Sequence, residues 1–521
     1  MSTRFDALVI GAGHNGLTCA GYLAKAGLRV LVLERRNIIG GACTTEELLR
    51  DEAPGFKFNV CASDHIFIHL TPVLRDLRLA EFGLEYINID PIFFLPFPDK
   101  KHIFIHKSVD ETIRSIETVS KHDARAYANL VQTWSNRFEQ IIPNFLEPPR
   151  SLSSILTESN EGDETLRLLS TSLSQILNET FETDYVKVPI ALFAAQGGNP
   201  PDELGTGLFS GLFTLLHQSG MKRPRGGSGA LITALARSLE AFGGQILTDV
   251  NVEKILITNG HVGGVQLVDG RRIESNIVVS SADPKRTFLS LLKDYDLDSN
   301  FRKHVESLRV RSYKLKLDCA LKELPNYQAL PGLEPGLQHR ASQLICPSLD
   351  YLERAYHESQ FTGKLSSQPA IWGATHSAAD TSLAPNGSHV LYAMALFCSS
   401  NESRKADEDA VRREGKEKII DTLTEYAPNL RGAILADNVM TNEDFETRLG
   451  LPRGNSMHID ATLDQMFSLR PVPGWSDYRT PVPGLYITGA GTHPSGGITA
   501  APGHNSAQIV LKDWQMVKNQ S

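Results

Sequence analysis

Cysteine is scarce in this chain: six residues among 521, namely Cys19, Cys43, Cys61, Cys319, Cys346 and Cys398, with no CxxC pair among them. Such spacing neither staples a small secreted scaffold nor builds a zinc site. No metal centre is expected, and a reducing cytoplasmic setting is. An excess of positive charge is missing too. Lys and Arg number 52 against 60 Asp and Glu, a net charge of −8, which leaves no electrostatic footprint for nucleic acid. Nor is there an apolar run of the kind that spans a bilayer. Residues 204–221 carry Gly205, Gly207, Gly211, Thr214 and His217, and the uncharged stretch 480–511 is broken by Pro481, Pro483, Pro494 and Pro502. The first strand begins at Phe5, so no signal peptide is expected. What the chain does hold is material for packed cores. Hydrophobic residues make up 41%, in a length that predicts about two or three domains.

The strongest local pattern is a buried strand from Phe5 to Ile10 running into Gly11-x-Gly13-x-x-Gly16, with His14 and Asn15 inside the turn. A helix through Leu17, Ala20, Leu23 and Ala24 follows. Gly11 permits the tight turn, Gly13 lets backbone approach a pyrophosphate, and Gly16 lets helix pack on strand. The anion then rests on the unpaired N–H groups of the helix start. A second strand, Val30 to Leu33, ends on Glu34, whose carboxylate is placed to accept ribose hydroxyls. The small loop Ile38-Ile39-Gly40-Gly41-Ala42 comes soon after. It suits a longer ligand that passes close to backbone and so favours FAD over NAD, with Arg35 and Arg36 reaching toward adenosine or phosphate. Gly227-Ser-Gly229 lacks a third glycine, so no second dinucleotide fingerprint is present. With no CxxC either, electrons are expected to enter from an organic substrate.

From Gly226 the α/β pattern returns. Leu231, Ala234, Leu235 and Leu239 form a helical stripe, and residues 245–252 a strand whose Val250 and Val252 would contact adenine. Residues 252–257, 262–267 and 277–280 predict a small meander. Near the C-terminus, Gly484 to Gly491 reads as a strand and glycine turn, followed by Thr492 to Ile498. A helix starting near Gly497 would aim its N–H groups at the flavin's N1 and O2 side, where negative charge develops on reduction. Gly491, Gly497 and Ile498 join the cofactor residues on this reading. In between, Leu204, Leu208, Leu212, Leu215 and Leu216 predict one helical stripe, followed by Lys222, Arg223 and Arg225. It is either an interfacial helix in lipid or a core helix lining an inner pocket. Pro91 to Phe97 is a second apolar patch.

Taken together, these stretches resemble the carotenoid desaturase-like FAD oxidoreductases, and among them the desaturase-type β-carotene ketolases of cyanobacteria. The likeness runs almost end to end and is carried by Gly11 to Leu17, Gly40 to Glu46, Cys61 to His65, Arg223 to Leu231, Leu463 to Pro471 and Thr488 to Pro494. The resemblance implies an α/β, two-dinucleotide-binding (Rossmann-like) flavoprotein fold with a mixed α+β substrate domain. Residues 1–90, 226–310 and 446–521 would build the FAD domain, and 91–225 and 311–445 the substrate domain. The implied activity is oxidation of the allylic C4 of a β-ionone ring to a ketone, giving echinenone or canthaxanthin, with oxygen or a quinone as electron acceptor. Where the ketolases carry Gly-Gly before Ser and an Arg further on, this chain reads Pro494-Ser-Gly-Gly and has His504. That departure keeps three alternatives open: a carotene desaturase, an isomerase, or a pyridine-nucleotide-oxidoreductase-like paralogue acting on another apolar substrate. His65 and His493 are the candidates for proton handling, and Asp64, His65, Phe97, Leu208 and Leu212 for substrate contact. A lipid-borne substrate further implies peripheral attachment to the cytoplasmic face of a membrane.

Overall fold

The computed structural model describes residues 4–158, 162–311, 314–398 and 407–520. Its first organising element is a five-stranded parallel sheet in the order Leu485–Ile487, Val278–Ser280, Ala7–Ile10, Val30–Leu33, Gln245–Leu247. The central strand Ala7–Ile10 is buried along its whole length, as a parallel strand covered on both faces must be. Its residues alternate between two cores. Ala7 and Val9 pack against the helices His14–Lys25, Gly229–Ala241 and Ala501–Gln520. Leu8 and Ile10 face an antiparallel sheet of Val252–Thr258, His261–Leu267 and Arg272–Glu274.

The predicted meander therefore exists with a different third strand. Arg272–Glu274 completes it, while Val278–Ser280 pairs in parallel with the central strand. The predicted strand 245–252 is likewise cut short at Leu247, since Asp249 has φ +56° and breaks the extended backbone.

The second sheet has seven strands, in the order Ile434–Met440, Lys314–Leu321, His389–Leu396, Ile371–Ala374, Ser342–Ile345, Phe93–Pro96, His102–Ile105. All its pairings are antiparallel except that of Ser342–Ile345 with Phe93–Pro96. The apolar patch at 91–97 thus supplies a buried strand. Phe97, expected at the substrate, packs edge-on against Tyr185 with ring centroids 4.5 Å apart and does not line the large internal cavity described below.

The stripe from Leu204 to Leu216 is not one helix. It breaks into short 3-10 turns, Gly207–Ser210 and Leu212–Leu215, and a final turn Leu216–Ser219. Between the two 3-10 turns stands Gly211, and its missing side chain makes room for the Trp134 indole: a Cβ there would lie 2.0 Å from the ring. Leu215 and Leu216 are buried, while Leu208 and Leu212 line an internal cavity. The basic residues behind the stripe do not form a headgroup patch either. Arg223 is buried, and Arg225 pairs with Glu85. Among the described residues no helix is long and apolar enough to cross a membrane. All six cysteines are buried free thiols.

Candidate functional site

A cleft of about 150 Å³ opens at the C-terminal ends of Ala7–Ile10 and Val278–Ser280. Here the chain leaves the central strand to one side and returns on the other, the switch point where open α/β sheets bind ligands. The three glycines differ in what constrains them. A Cβ at Gly11, which has φ +95°, would meet Ser281 Oγ at 2.6 Å, and one at Gly16 would sit 2.1 Å from the Gly11 carbonyl oxygen. A Cβ at Gly13 would meet no protein atom within 4 Å and would project into open space. Gly13 is also the N-cap of His14–Lys25, with no side chain capping the helix. Its first-turn N–H groups and the positive end of its dipole are left for an anion.

Glu34 is buried at the end of the second strand. Its Oε2 accepts the Ala12 N–H at 2.9 Å and its Oε1 the Arg36 N–H at 3.0 Å, which fixes the carboxylate and leaves further lone pairs for a diol. Val250, Asn251 and Val252 form the facing wall. Three buried polar atoms of the lining, Asn15 Oδ1, Arg36 Nη1 and His458 Nδ1, have no hydrogen-bond partner among the described residues. A buried polar atom of this kind is costly unless a ligand satisfies it. An anion cradle, a fixed carboxylate and unsatisfied polar atoms together fit a dinucleotide.

The cleft joins a cavity of about 920 Å³, and His14, Ala42, Ser456 and Ala490 line both. Cys43, Gly497 and Ile498 bound the cavity on the cleft side; Lys314, Trp372, Tyr392 and Met394 of the seven-stranded sheet face them. Thr133, Asn136, Arg137 and Arg150, partly or fully exposed, mark its mouth beside the helix Lys121–Asn144. Between Ser495 and Ala500 the backbone is forced. Ser495, Ile498 and Ala500 have φ of +97°, +53° and +57°, conformations costly for side chains with a Cβ and most of all for β-branched Ile. The helix expected near Gly497 begins instead at Ala501. Positive φ upstream cannot continue a helix, whereas Pro502 suits its first turn.

Arg470 holds this corner together. Fully buried, its guanidinium donates to the carbonyl oxygens of Met457, Ile459, Asp460, Gln465 and Ala490. Burial pushes its pKa down to about 9. It thereby ties the cavity-lining Met457 to Ala490 at the junction with the cleft.

The sequence-predicted residues separate into two groups. Gly11, Gly13, His14, Asn15, Gly16, Glu34, Arg35, Gly41, Ala42 and Val252 line the cleft, and Gly497 and Ile498 the cavity. Gly40 stands behind the cleft, where a Cβ would meet Thr44 and Ile232, and Gly491 packs on Pro284 and His458.

His65 reaches neither space. Its Nδ1 is 3.0 Å from Tyr86 Oη and its Nε2 3.1 Å from Ser228 Oγ, and burial lowers its pKa to about 3. Both nitrogens are engaged in tying the strand Tyr86–Ile89 to the start of helix Gly229–Ala241, which leaves neither aimed at the cleft or the cavity. His493 does line the cavity; its Nε2 donates to the Asn144 carbonyl at 3.0 Å, and burial lowers its pKa to about 4. Asp64 also lines the cavity, but its Oδ1 accepts from Arg223 Nε at 2.7 Å and its Oδ2 from Ser342 Oγ at 2.8 Å.

Sequence patterns alone do not point to Lys314, Arg286 and His458. Lys314 is buried on the cavity wall with its ammonium 3.4 Å from Cys61 Sγ. Arg286 lines the cleft just beyond Val278–Ser280. Only the position of Arg286, after a strand of the parallel sheet, carries a sequence signal.

The family described as NAD(P)-binding Rossmann-like domain matches residues 9–77. The chain is 32% identical to the rat pyridine nucleotide-disulfide oxidoreductase domain-containing protein 2, over 98% of this chain and 94% of that one. It is 26% identical to a limonene dehydrogenase polypeptide of Castellaniella defragrans, over 98% and 94%. Against the neurosporene-forming phytoene desaturase of Cereibacter sphaeroides it is 23% identical, over 97% and 94%. A crystallised oxidoreductase from Methanosarcina mazei has the same fold, with a TM-score of 0.65 at 21% identity over 98% of this chain and 100% of that one.

Proposed function

Because the chain belongs to the family of pyridine nucleotide-disulfide oxidoreductase domain-containing protein 2, we propose that it removes a hydride from an allylic carbon of a long, unsaturated, apolar substrate of isoprenoid type. It is an oxidoreductase of the carotenoid desaturase kind, and its cofactor is FAD. The observation that carries the finer reading is the cavity. At about 920 Å³ it lies near the top of the ~300–1,000 Å³ range of small-molecule sites, and it joins the dinucleotide cleft directly. Relatives named for limonene and phytoene support a hydrocarbon substrate. Ketone formation at ring C4 is the narrowest form of the proposal, and desaturation or isomerisation would use the same first contact.

On this reading Gly13 and the start of His14–Lys25 hold the pyrophosphate, Glu34 the ribose, and Val250 to Val252 the adenine. When bound, FAD supplies the two-electron acceptor. The chain's own part is to orient and to keep water out. Trp372, Tyr392 and Met394 set the substrate against Ile498, and the forced loop from Ser495 to Ala500 fixes that face before substrate arrives. His14 stays neutral at physiological pH, because burial lowers its pKa to about 4. Anaerobic mixing with β-carotene, phytoene and limonene, with product analysis, tests the proposal. Bleaching of the flavin by the carotenoids is expected; bleaching by limonene alone would overturn it.

Two substitutions separate cleft from cavity. Glu34→Gln keeps the shape but weakens the ribose contact, so the FAD dissociation constant measured by titration should rise about tenfold to a hundredfold, ~1.4–2.8 kcal/mol. Leu208→Asp with Leu212→Asp places charge on the cavity wall. Carotenoid turnover should fall below detection while flavin content stays normal. Co-sedimentation with liposomes should be unchanged, since neither residue forms an exposed stripe. Peripheral attachment to a membrane, if the substrate is drawn from one, then rests on the cavity mouth.

A further inference from the structure

Cys43 and Cys61 are far apart in sequence, yet two short segments bring them face to face. The strands Thr45–Glu46 and Phe58–Asn59 pair antiparallel, and two more backbone bonds follow, up to the 3-10 turn Gly41–Cys43. The Val60 N–H donates to the Thr44 carbonyl at 3.0 Å and the Ala62 N–H to the Ala42 carbonyl at 2.9 Å. These two bonds bracket Cys43 and Cys61 as opposed residues. Backbone bonds on both sides of two residues hold them near the ~4.5–5.5 Å Cα separation of strand neighbours, close to the ~4.4–6.8 Å that a disulfide requires.

Both cysteines line the large cavity next to Ala42, one of the residues it shares with the dinucleotide cleft. Each sulfur has its own nitrogen partner. Cys43 Sγ lies 3.6 Å from His14 Nδ1, and Lys314 Nζ donates to Cys61 Sγ at 3.4 Å. Burial first, and then the nearby Cys61, push the Cys43 thiol well above its ordinary range. The remaining cysteines, Cys19, Cys319, Cys346 and Cys398, are buried outside the lining of this cavity.

We propose that Cys43 and Cys61 form a reversible dithiol–disulfide pair that exchanges two electrons with the bound flavin. The proposal rests on the FAD reading of the cleft. On oxidation the two S–H bonds break and one S–S bond forms. The electron pair and both protons pass to oxidised FAD, giving FADH2. The reverse reaction returns them and regenerates the two thiols. His14 Nδ1 stands beside Cys43 and Lys314 Nζ beside Cys61, so each sulfur meets one polar side chain at the cavity wall. The pair would give the enzyme a second place to store the electrons taken from substrate, with no CxxC motif.

The test uses the holoprotein. After oxidation with diamide, denaturation, alkylation and tryptic digestion without reductant, the peptides Asn37 to Arg50 and Phe58 to Arg75 should appear joined, two hydrogens lighter than their sum. The other four cysteines should all be alkylated. In anaerobic reductive titration, oxidised wild-type protein should consume twice the reducing equivalents per flavin taken by Cys43→Ser or Cys61→Ala. Alkylation of all six cysteines after diamide, or equal consumption by wild type and variants, would overturn the proposal. Because the cross-link is read without reference to flavin, a protein that contains no FAD but forms the disulfide would defeat the cofactor reading and the electron exchange while leaving the paired geometry standing.

Discussion

Replacing Gly13 with valine should yield a folded, colourless protein. The expected loss of FAD affinity is at least a hundredfold, about 2.7 kcal/mol, with little change in thermal stability. The contrast with its neighbours makes the outcome specific. At Gly16 a Cβ would run into the Gly11 carbonyl at 2.1 Å, and at Gly11 the backbone has φ +95° and a Cβ would strike Ser281. Substitution at either site damages the fold itself. Gly13 has φ −74° and ψ 169°, which valine adopts without strain, and no protein atom stands within 4 Å of the added Cβ. Only an occupant of the cleft can object to the side chain. Flavin content after purification and reconstitution, set beside the circular dichroism melting curve, reads the two effects separately. A yellow Gly13→Val protein with normal FAD content would place the pyrophosphate elsewhere.

That glycine, like the rest of the cleft, is legible in the sequence because its requirements are local. The tight turn, the close approach and the acid after the second strand are each satisfied within a few residues of one another, so spacing alone carries the message. The cavity is not legible, because its residues satisfy one another across the fold. Lys-Leu-Lys-Leu-Asp-Cys-Ala-Leu from 314 to 321 alternates like a strand with one wet face, yet all eight residues are buried. Its polar face is closed by its own partners: Lys316 Nζ donates to Asp318 and to the Asn59 carbonyl, both at 2.7 Å. The stripe from Leu204 to Leu216 has helical spacing, and only Trp134, nearly eighty positions before Gly211, shows why a glycine is required inside it. His65 looks chemical by residue type; Tyr86 and Ser228, which occupy its two nitrogens, lie in other elements. Local chemistry is written in spacing, whereas pairing across the core is not.

The second large effect is expected at Arg223, whose place behind the leucine stripe suggests a lipid-facing cation and whose surroundings are instead buried. Its guanidinium bonds to Asp64 at 2.7 Å and also donates to the Arg340 carbonyl and Ser342 Oγ, with both side chains of the pair only 5–6% exposed. Removing one partner of such a pair leaves an uncompensated buried charge, a loss of about 3–5 kcal/mol. Arg223→Met should therefore unfold at markedly lower denaturant than wild type at neutral pH. The pH dependence identifies the cause. In the wild type, burial acts to raise the Asp64 carboxyl, but Arg223, His376 and Ser342 more than offset it, and the group is held below its ordinary value. Its contribution to stability is present above the unfolded-state pKa, ~3.9, and is lost as pH falls through the lower folded value. Without Arg223 the largest opposing contribution is gone, the burial cost outweighs Ser342 and His376, and the folded pKa rises above ~3.9. The variant is then penalised progressively as pH rises through that window, and protonation at low pH removes the penalty. The stability gap between wild type and Arg223→Met should accordingly narrow on acidification from about pH 7 toward about pH 4, and Asp64→Asn in the Arg223→Met background should abolish that narrowing. A gap independent of pH would mean that Arg223 acts through packing and its carbonyl contacts rather than through the charge of Asp64.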